Sequence, residues 1–212
     1  MLRAMPPGAE WFDALRTPTL GDPLRVLLSG CLSGHARIWD GSAYANWPPL
    51  AKLAALATVR LVSFCPEDFA FGTPRQLCDI HGGDGDDVLD GRARVLSENG
   101  EDWTAGMLVA ARRMLAEARA HDVELAILMD MSAACGSQVI SLGSRKVPIR
   151  TYQRGRGVSA ALLERSGIPV MAQRDHASLE RLLSKLDPTH VVDARAIDHH
   201  ETPWYREYFG AG

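Results

Sequence analysis

The chain has 212 residues, 46% of them hydrophobic and 23% charged, which suits one packed domain with appendages and excludes a disordered chain. Its formal net charge of −3 lacks the basic excess of a broad nucleic-acid face. No apolar run approaches the roughly 20 residues of a membrane span, and the N-terminal MLRAMPPGAEWFDALRTPTLGDP has no apolar signal core, so a cytoplasmic protein without a membrane partner is expected.

Residues 1–23 read as an extension with a short helix around Glu10–Arg16. The run Arg25–Leu28 predicts a first strand that ends in the small-residue turn Ser29-Gly30-Cys31-Leu32-Ser33-Gly34. Pro48–Thr58 predicts a helix, with prolines in its first turn and Leu50, Leu53, Ala54 and Ala57 on one face. Val59–Phe64 predicts a second strand running into Cys65-Pro66-Glu67. Residues 68–87, rich in Gly and Asp, predict loop, and Asp90-Gly91 between Val88–Leu89 and Ala93–Leu96 predicts a hairpin. Trp103–His121 carries the clearest helical spacing, and Val123–Met129 predicts the strand before Cys135. Gly157–Gly167 and Ser178–Leu186 predict further helices, and Ile168–Met171 a further strand. After Asp175 the pattern loosens into a tail ending Trp204-Tyr205-Arg206-Glu207-Tyr208-Phe209. Strands alternating with helices predict an α/β fold: a mostly parallel, Rossmann-like sheet with flanking helices.

Cys31, Cys65 and Cys135 each fall just beyond one of these strands. A parallel sheet gathers its strand ends along one edge, where open α/β folds bind ligands. Three thiolates meeting there are one short of a closed tetrahedral site. They therefore point to a metal or iron–sulfur centre with one position free, and soft thiolates suit zinc and iron–sulfur alike. None lies in a Cys-x-x-Cys pair, which argues against a zinc ribbon or thioredoxin-type motif. Cys78, in a predicted loop, is read as a small buried hydrophobe.

Glu67, two residues past Cys65, is the acid/base candidate, against a reading as a helix-starting acid. Ser132, three residues before Cys135, is the supporting hydroxyl or a cap of the following turn. Asp40 is a site acid or a turn residue, and Asp130 has the same two readings. The turn glycines Gly34 and Gly136 leave backbone amides free to face a substrate. Gly82-Gly83-Asp84-Gly85-Asp86-Asp87 matches neither an EF-hand nor a phosphate loop and reads as an acidic surface turn. His199-His200, in the loose tail, has no partner at ligand spacing. Arg145, Lys146, Arg150, Arg154 and Arg156 form a basic strip, read as a solvated loop with substrate or RNA phosphate contact as the alternative.

Taken together, Ser29-Gly30-Cys31-Leu32-Ser33-Gly34, Asp40-Gly41, Cys65-Pro66-Glu67, Pro74-Arg75, Leu89-Asp90-Gly91-Arg92-Ala93-Arg94-Val95, Ser132-Ala133-Ala134-Cys135-Gly136-Ser137 and Gly157-Val158-Ser159-Ala160-Ala161-Leu162-Leu163 resemble, in order, the thiouracil desulfidase family, long known only as a domain of unknown function. The resemblance spans residues 24–173 and leaves 1–23 and 174–212 as extensions. It implies a [4Fe–4S] cluster on Cys31, Cys65 and Cys135. It also implies a non-redox reaction that turns a thiolated uracil and water into uracil and hydrogen sulfide, with Glu67 as the acid/base candidate and Ser132 as the supporting hydroxyl. Where the family pattern has a lysine near the end of the preceding strand, this chain has Met129. A small thiolated pyrimidine is the expected substrate, and the acidic net charge disfavours tRNA. The alternatives are an iron–sulfur or zinc module that senses or delivers sulfur, and an α/β domain whose cysteines merely pack.

Overall fold

In chain order the elements are β1 (Leu24–Ser29), a 3-10 turn (Gly30–Ser33), α1 (Pro48–Ala55), β2 (Val59–Phe64), α2 (Pro66–Phe71), β3 (Cys78–His81), α3 (Gly85–Leu89), β4 (Arg94–Ser97), α4 (Thr104–Ala120) and β5 (Leu125–Leu128). They continue with β6 (Val139–Leu142), β7 (Thr151–Arg154), α5 (Val158–Arg165), β8 (Val170–Ala172), α6 (His176–Leu186), a second 3-10 turn (His199–Glu201) and α7 (Pro203–Phe209). The computed structural model describes residue 12 and residues 15–34, 38–44, 47–142 and 147–210. Most of the helix expected around Glu10–Arg16 lies outside them, as do Arg145 and Lys146.

Four strands pair in parallel in the order β2-β1-β5-β8, the expected α/β architecture. Alternation along each strand feeds two cores, because successive side chains leave a strand on opposite faces. Leu24, Val26 and Leu28 of β1 and Leu125 and Ile127 of β5 pack with Leu53 of α1 and Leu179, Leu182 and Leu183 of α6. Leu27, Ala126 and Leu128 pack on the other face with Met107, Ala111 and Met114 of α4 and with Val158, Ala160 and Leu163 of α5. Helices on both faces explain why the strands read as almost continuous apolar runs. Phe12 and Leu15, from the N-terminal extension, join the first core.

The chain leaves β1 for β2 on one side and leaves β5 for β8 on the other. Strand order therefore reverses between β1 and β5, and the loops leaving those neighbours splay apart into a crevice at their carboxyl ends. Cys31 sits in the turn that follows β1. Cys65 is the N-cap of α2, directly after β2. Cys135 follows β5. No helix among the described residues is long and apolar enough to cross a membrane.

Several local expectations give way to packing. The hairpin at Asp90-Gly91 does not form: Val88 and Leu89 belong to α3, and Asp90 caps it. Asp84, inside the expected acidic turn, is the N-cap, and its side chain accepts the amides of Asp86 and Asp87 in a capping box. The antiparallel pair is instead β3 with β4. A second antiparallel pair, β6 with β7, was not legible. The tail is ordered, with α6, a 3-10 turn and α7 along it.

Gly157, just before α5, shows how the Cys135 loop is clamped. The first amides of α5, on Val158 and Ser159, donate to the carbonyls of Ala133 and Ala134, satisfying donors that a helix start leaves free. A Cβ on Gly157 would lie 2.5 Å from the Ala134 carbonyl carbon and 2.7 Å from the Cys135 nitrogen, both backbone atoms. Gly157→Ala is therefore expected to destabilise the fold by about 2–3 kcal/mol through overpacking, read as a lower midpoint in thermal or urea unfolding. A midpoint equal to wild type would mean the approach is looser than described.

Candidate active site

The three cysteines expected to converge do so. Cys31, Cys65 and Cys135 border one cavity of about 390 Å³ at the carboxyl edge of the sheet, together with Glu67, Ser132, Arg75, Asp130, Trp39, Met129 and Tyr152 among others. That is a normal volume for a small-molecule site. Cys78 is buried in β3 and does not border it. A reading in which all four cysteines only pack is therefore disfavoured.

Each thiol is held differently. The Cys65 sulfur accepts the amide of Asp68 at 3.4 Å, the capping interaction of α2. The Ser29 hydroxyl hydrogen-bonds the Cys135 sulfur and also accepts the Met129 amide at 2.9 Å. Burial pushes the Cys31 thiol up to about 12, with the charges of Cys65 and Glu67 adding to it. Burial likewise raises Cys65, with Glu67 next, and raises Cys135 well above the ordinary range. Without a cation all three hold their protons, and each disfavours charge on the others. Only a strongly positive centre makes three thiolates stable together here.

The metal-free chain should therefore react slowly at Cys31. A thiol pushed up to about 12 is ionised about 1000-fold less than an ordinary one, and the greater nucleophilicity of a more basic thiolate recovers about 30-fold of that. A small disulfide reagent at about pH 8 should accordingly modify Cys31 roughly 30-fold more slowly than a free cysteine. Modification at the free-cysteine rate would contradict this environment.

Among the described residues, the group of three acidic, His or Cys ligand atoms within 4.8 Å of one another is Asp175, Asp198 and His200, in the C-terminal segment, and not the three cysteines.

Beside the sulfurs, Glu67 and Ser132 form a pair. The Ser132 hydroxyl donates to Glu67 Oε1 at 2.9 Å and accepts the amides of Ala134 and Cys135 at 3.2 and 3.1 Å. One oxygen thus caps the turn and meets the carboxylate. Glu67 Oε2 accepts from Arg75 Nη2 at 3.0 Å and Nε at 3.3 Å. Arg75 is fixed in turn by donating to the Gly72 carbonyl and Thr73 Oγ1, and its side chain is only 4% exposed. A guanidinium so placed fixes the direction of the facing carboxylate.

Three expected contacts lie elsewhere. Asp40 is exposed and accepts the amide and hydroxyl of Ser42, so it serves the turn at residues 38–42. Gly34 is an exposed left-handed C-cap of the turn carrying Cys31. Gly136 is buried, its amide already donates to Ser132, and a Cβ there would lie 2.4 Å from the Val139 carbonyl. None of the three borders the cavity.

Sequence reading missed Arg75 as the partner of Glu67 and Tyr152 as a wall residue. It also missed Met131, which borders the cavity with φ 61°, a conformation rare for a residue with a side chain. Of the basic strip, Arg156 pairs with Asp86 and Glu164, and Arg154 lies over the rings of Tyr205 and Phe209. Arg150 borders the cavity with Arg174, and neither has an ion pair among the described residues.

Three thiols and an arginine-held carboxylate share the crevice of a doubly wound α/β sheet, the arrangement of a small-molecule enzyme. The chain belongs to the 2-thiouracil desulfurase family, whose model matches residues 26–175. It is 35% identical over 151 residues to the uncharacterized protein YbbK of Bacillus subtilis (strain 168), covering 71% of this chain and 96% of that one. It also resembles the solved structure of the [4Fe-4S]-dependent thiouracil desulfidase TudS, at 28% identity and a TM-score of 0.62, over 76% of this chain and 98% of that one.

Proposed function

We propose that this enzyme removes sulfur from a thiolated uracil, as free base or nucleoside, and releases hydrogen sulfide in the cytoplasm. The observation that carries the reading is the convergence of Cys31, Cys65 and Cys135 on one cavity beside the Glu67–Ser132 pair. The thiols fit a [4Fe–4S] cluster: among the described residues the cavity offers three thiols, no histidine and no fourth cysteine. Cys31, Cys65 and Cys135 would hold it, and when bound it supplies one iron without a protein ligand, a Lewis acid for a substrate's exocyclic sulfur.

The chain's own groups manage water and protons. Exchanging sulfur for oxygen on the ring consumes one water and needs no oxidant, since carbon keeps its oxidation level. Glu67, oriented by Arg75, takes a proton from that water, and Ser132 steadies the receiving oxygen. The same carboxyl returns that proton to the departing sulfur, and the water's second proton, lost from the ring oxygen as the C=O bond forms, completes hydrogen sulfide, so Glu67 is unchanged over a cycle. Trp39 and Tyr152, both at the cavity, suit a flat ring.

Arg150, Arg174 and Tyr152 favour a second reading of the substrate, a thiouridine in a nucleotide or RNA, because two cations with no ion pair among the described residues border the cavity. Anaerobic reconstitution followed by sulfide release from a panel of thiouracils and thiouridines tests both. Turnover of at least one supports the reaction, and preference between bases and nucleosides decides the substrate. No sulfide from any member by an iron-loaded chain would overturn it.

A further inference from the structure

The C-terminal segment, beyond the residues that match the family, places one side chain beneath the site. His199 is only 2% exposed, and its Nδ1 lies 2.6 Å from Asp130 Oδ2. The other oxygen of Asp130 accepts the successive amides of Ser137, Gln138 and Val139, at 3.0, 3.2 and 3.2 Å. These residues form the chain that leaves Cys135. The Asp130 side chain has no solvent exposure, so donors on the protein alone set its direction.

His199 ties the same loop a second time. Its backbone amide donates to Asp175 Oδ1 at 3.1 Å, and the Gln138 side-chain amide reaches both oxygens of Asp175 at 2.7 and 2.8 Å. The imidazole stacks on Trp204, with centroids 5.4 Å apart and planes 8° from parallel, and meets the edge of Tyr205. Nε2 is buried without a hydrogen-bond partner among the described residues. The bond to Asp130 is therefore the ring's one polar contact among them, and the carboxylate assigns the proton to Nδ1.

We propose that His199 is a positioning residue for Cys135: by fixing Asp130 it sets the path of the loop that presents the third thiol. The C-terminal segment is then part of the site's machinery rather than an ornament on the fold. The inference rests on Cys135 being a cofactor ligand, yet it is tested on the thiol itself.

The experiment uses the full-length, iron-free chain and follows iodoacetamide labelling of each cysteine by peptide mass. His199→Phe keeps a ring to stack on Trp204 and loses the donor. His199→Asn restores a donor near the Nδ1 position. His199→Phe is expected to label at Cys135 about tenfold faster, as loss of a charge-assisted bond frees the loop locally, with Cys31, Cys65 and Cys78 unchanged and His199→Asn close to wild type. Wild-type labelling of Cys135 in His199→Phe overturns the proposal, and so does equal acceleration at all four cysteines, which reports general loosening. Should His199→Phe fail to fold, His199→Asn is compared with His199→Gln, whose amide sits near the Nε2 position; equal labelling of Cys135 in the two overturns it. A wild-type chain that shields Cys135 yet takes up no iron defeats the cofactor reading alone.

Discussion

Replacing Cys31, Cys65 or Cys135 with serine, one at a time, is expected to end desulfuration, with a loss beyond about 10³-fold, or more than about 4 kcal/mol of barrier. The same replacement at Cys78 should leave activity near wild type, because that thiol packs in β3 away from the cavity. The contrast is sharp because all four are free cysteines and three are buried. Position at the strand ends, not burial, separates them. The assay is sulfide release by anaerobically loaded protein, paired with the iron content of each variant. A Cys135→Ser chain that kept both iron and turnover would remove the third thiol from the account.

The second large effect belongs to Glu67. Glu67→Gln keeps the shape and the hydrogen bond from Ser132 but loses the base, so kcat should fall about 10²–10⁴-fold, the usual worth of a positioned proton-transfer group. The visible absorption of the loaded chain should be unchanged, since no thiol is touched. Arg75 would lose the charge of the Glu67 carboxylate, and breaking a buried ion pair is costly. Some loss of thermal stability should therefore accompany the variant, while its iron content stays at the wild-type level. Wild-type turnover by Glu67→Gln would assign the proton work to another group.

Much of this arrangement was legible in the sequence because the relevant signals are local. Buried parallel strands read as short apolar runs, so β1, β2 and β5 could be placed within a few residues, and with them the cysteines that follow. Parallel topology did the rest, since strand ends gather whatever the details of packing. What escaped depends on contacts distant in sequence. Glu67 was a candidate by its place beside Cys65, but the guanidinium that orients it comes from Arg75, around the turn that closes α2. Asp130 had two readings, and only the fold shows its carboxylate gathering three amides of the Cys135 loop. His199 sat in a segment without periodicity, and its burial follows from aromatic packing in α7 that no strand or helix pattern announces. Asp90-Gly91 shows the opposite failure. A strong hairpin pair lost to a capping box at Asp84, which committed Val88 and Leu89 to a helix.

The most direct measurement is Mössbauer spectroscopy of the anaerobically reconstituted, iron-57-enriched chain, before and after adding a thiolated uracil. Three sulfur donors and one open corner predict about four irons per chain, with one distinguishable from the other three and altered by the addition. Four equivalent irons that ignore the substrate, or a chain that binds at most about one metal ion after reconstitution, would contradict the account.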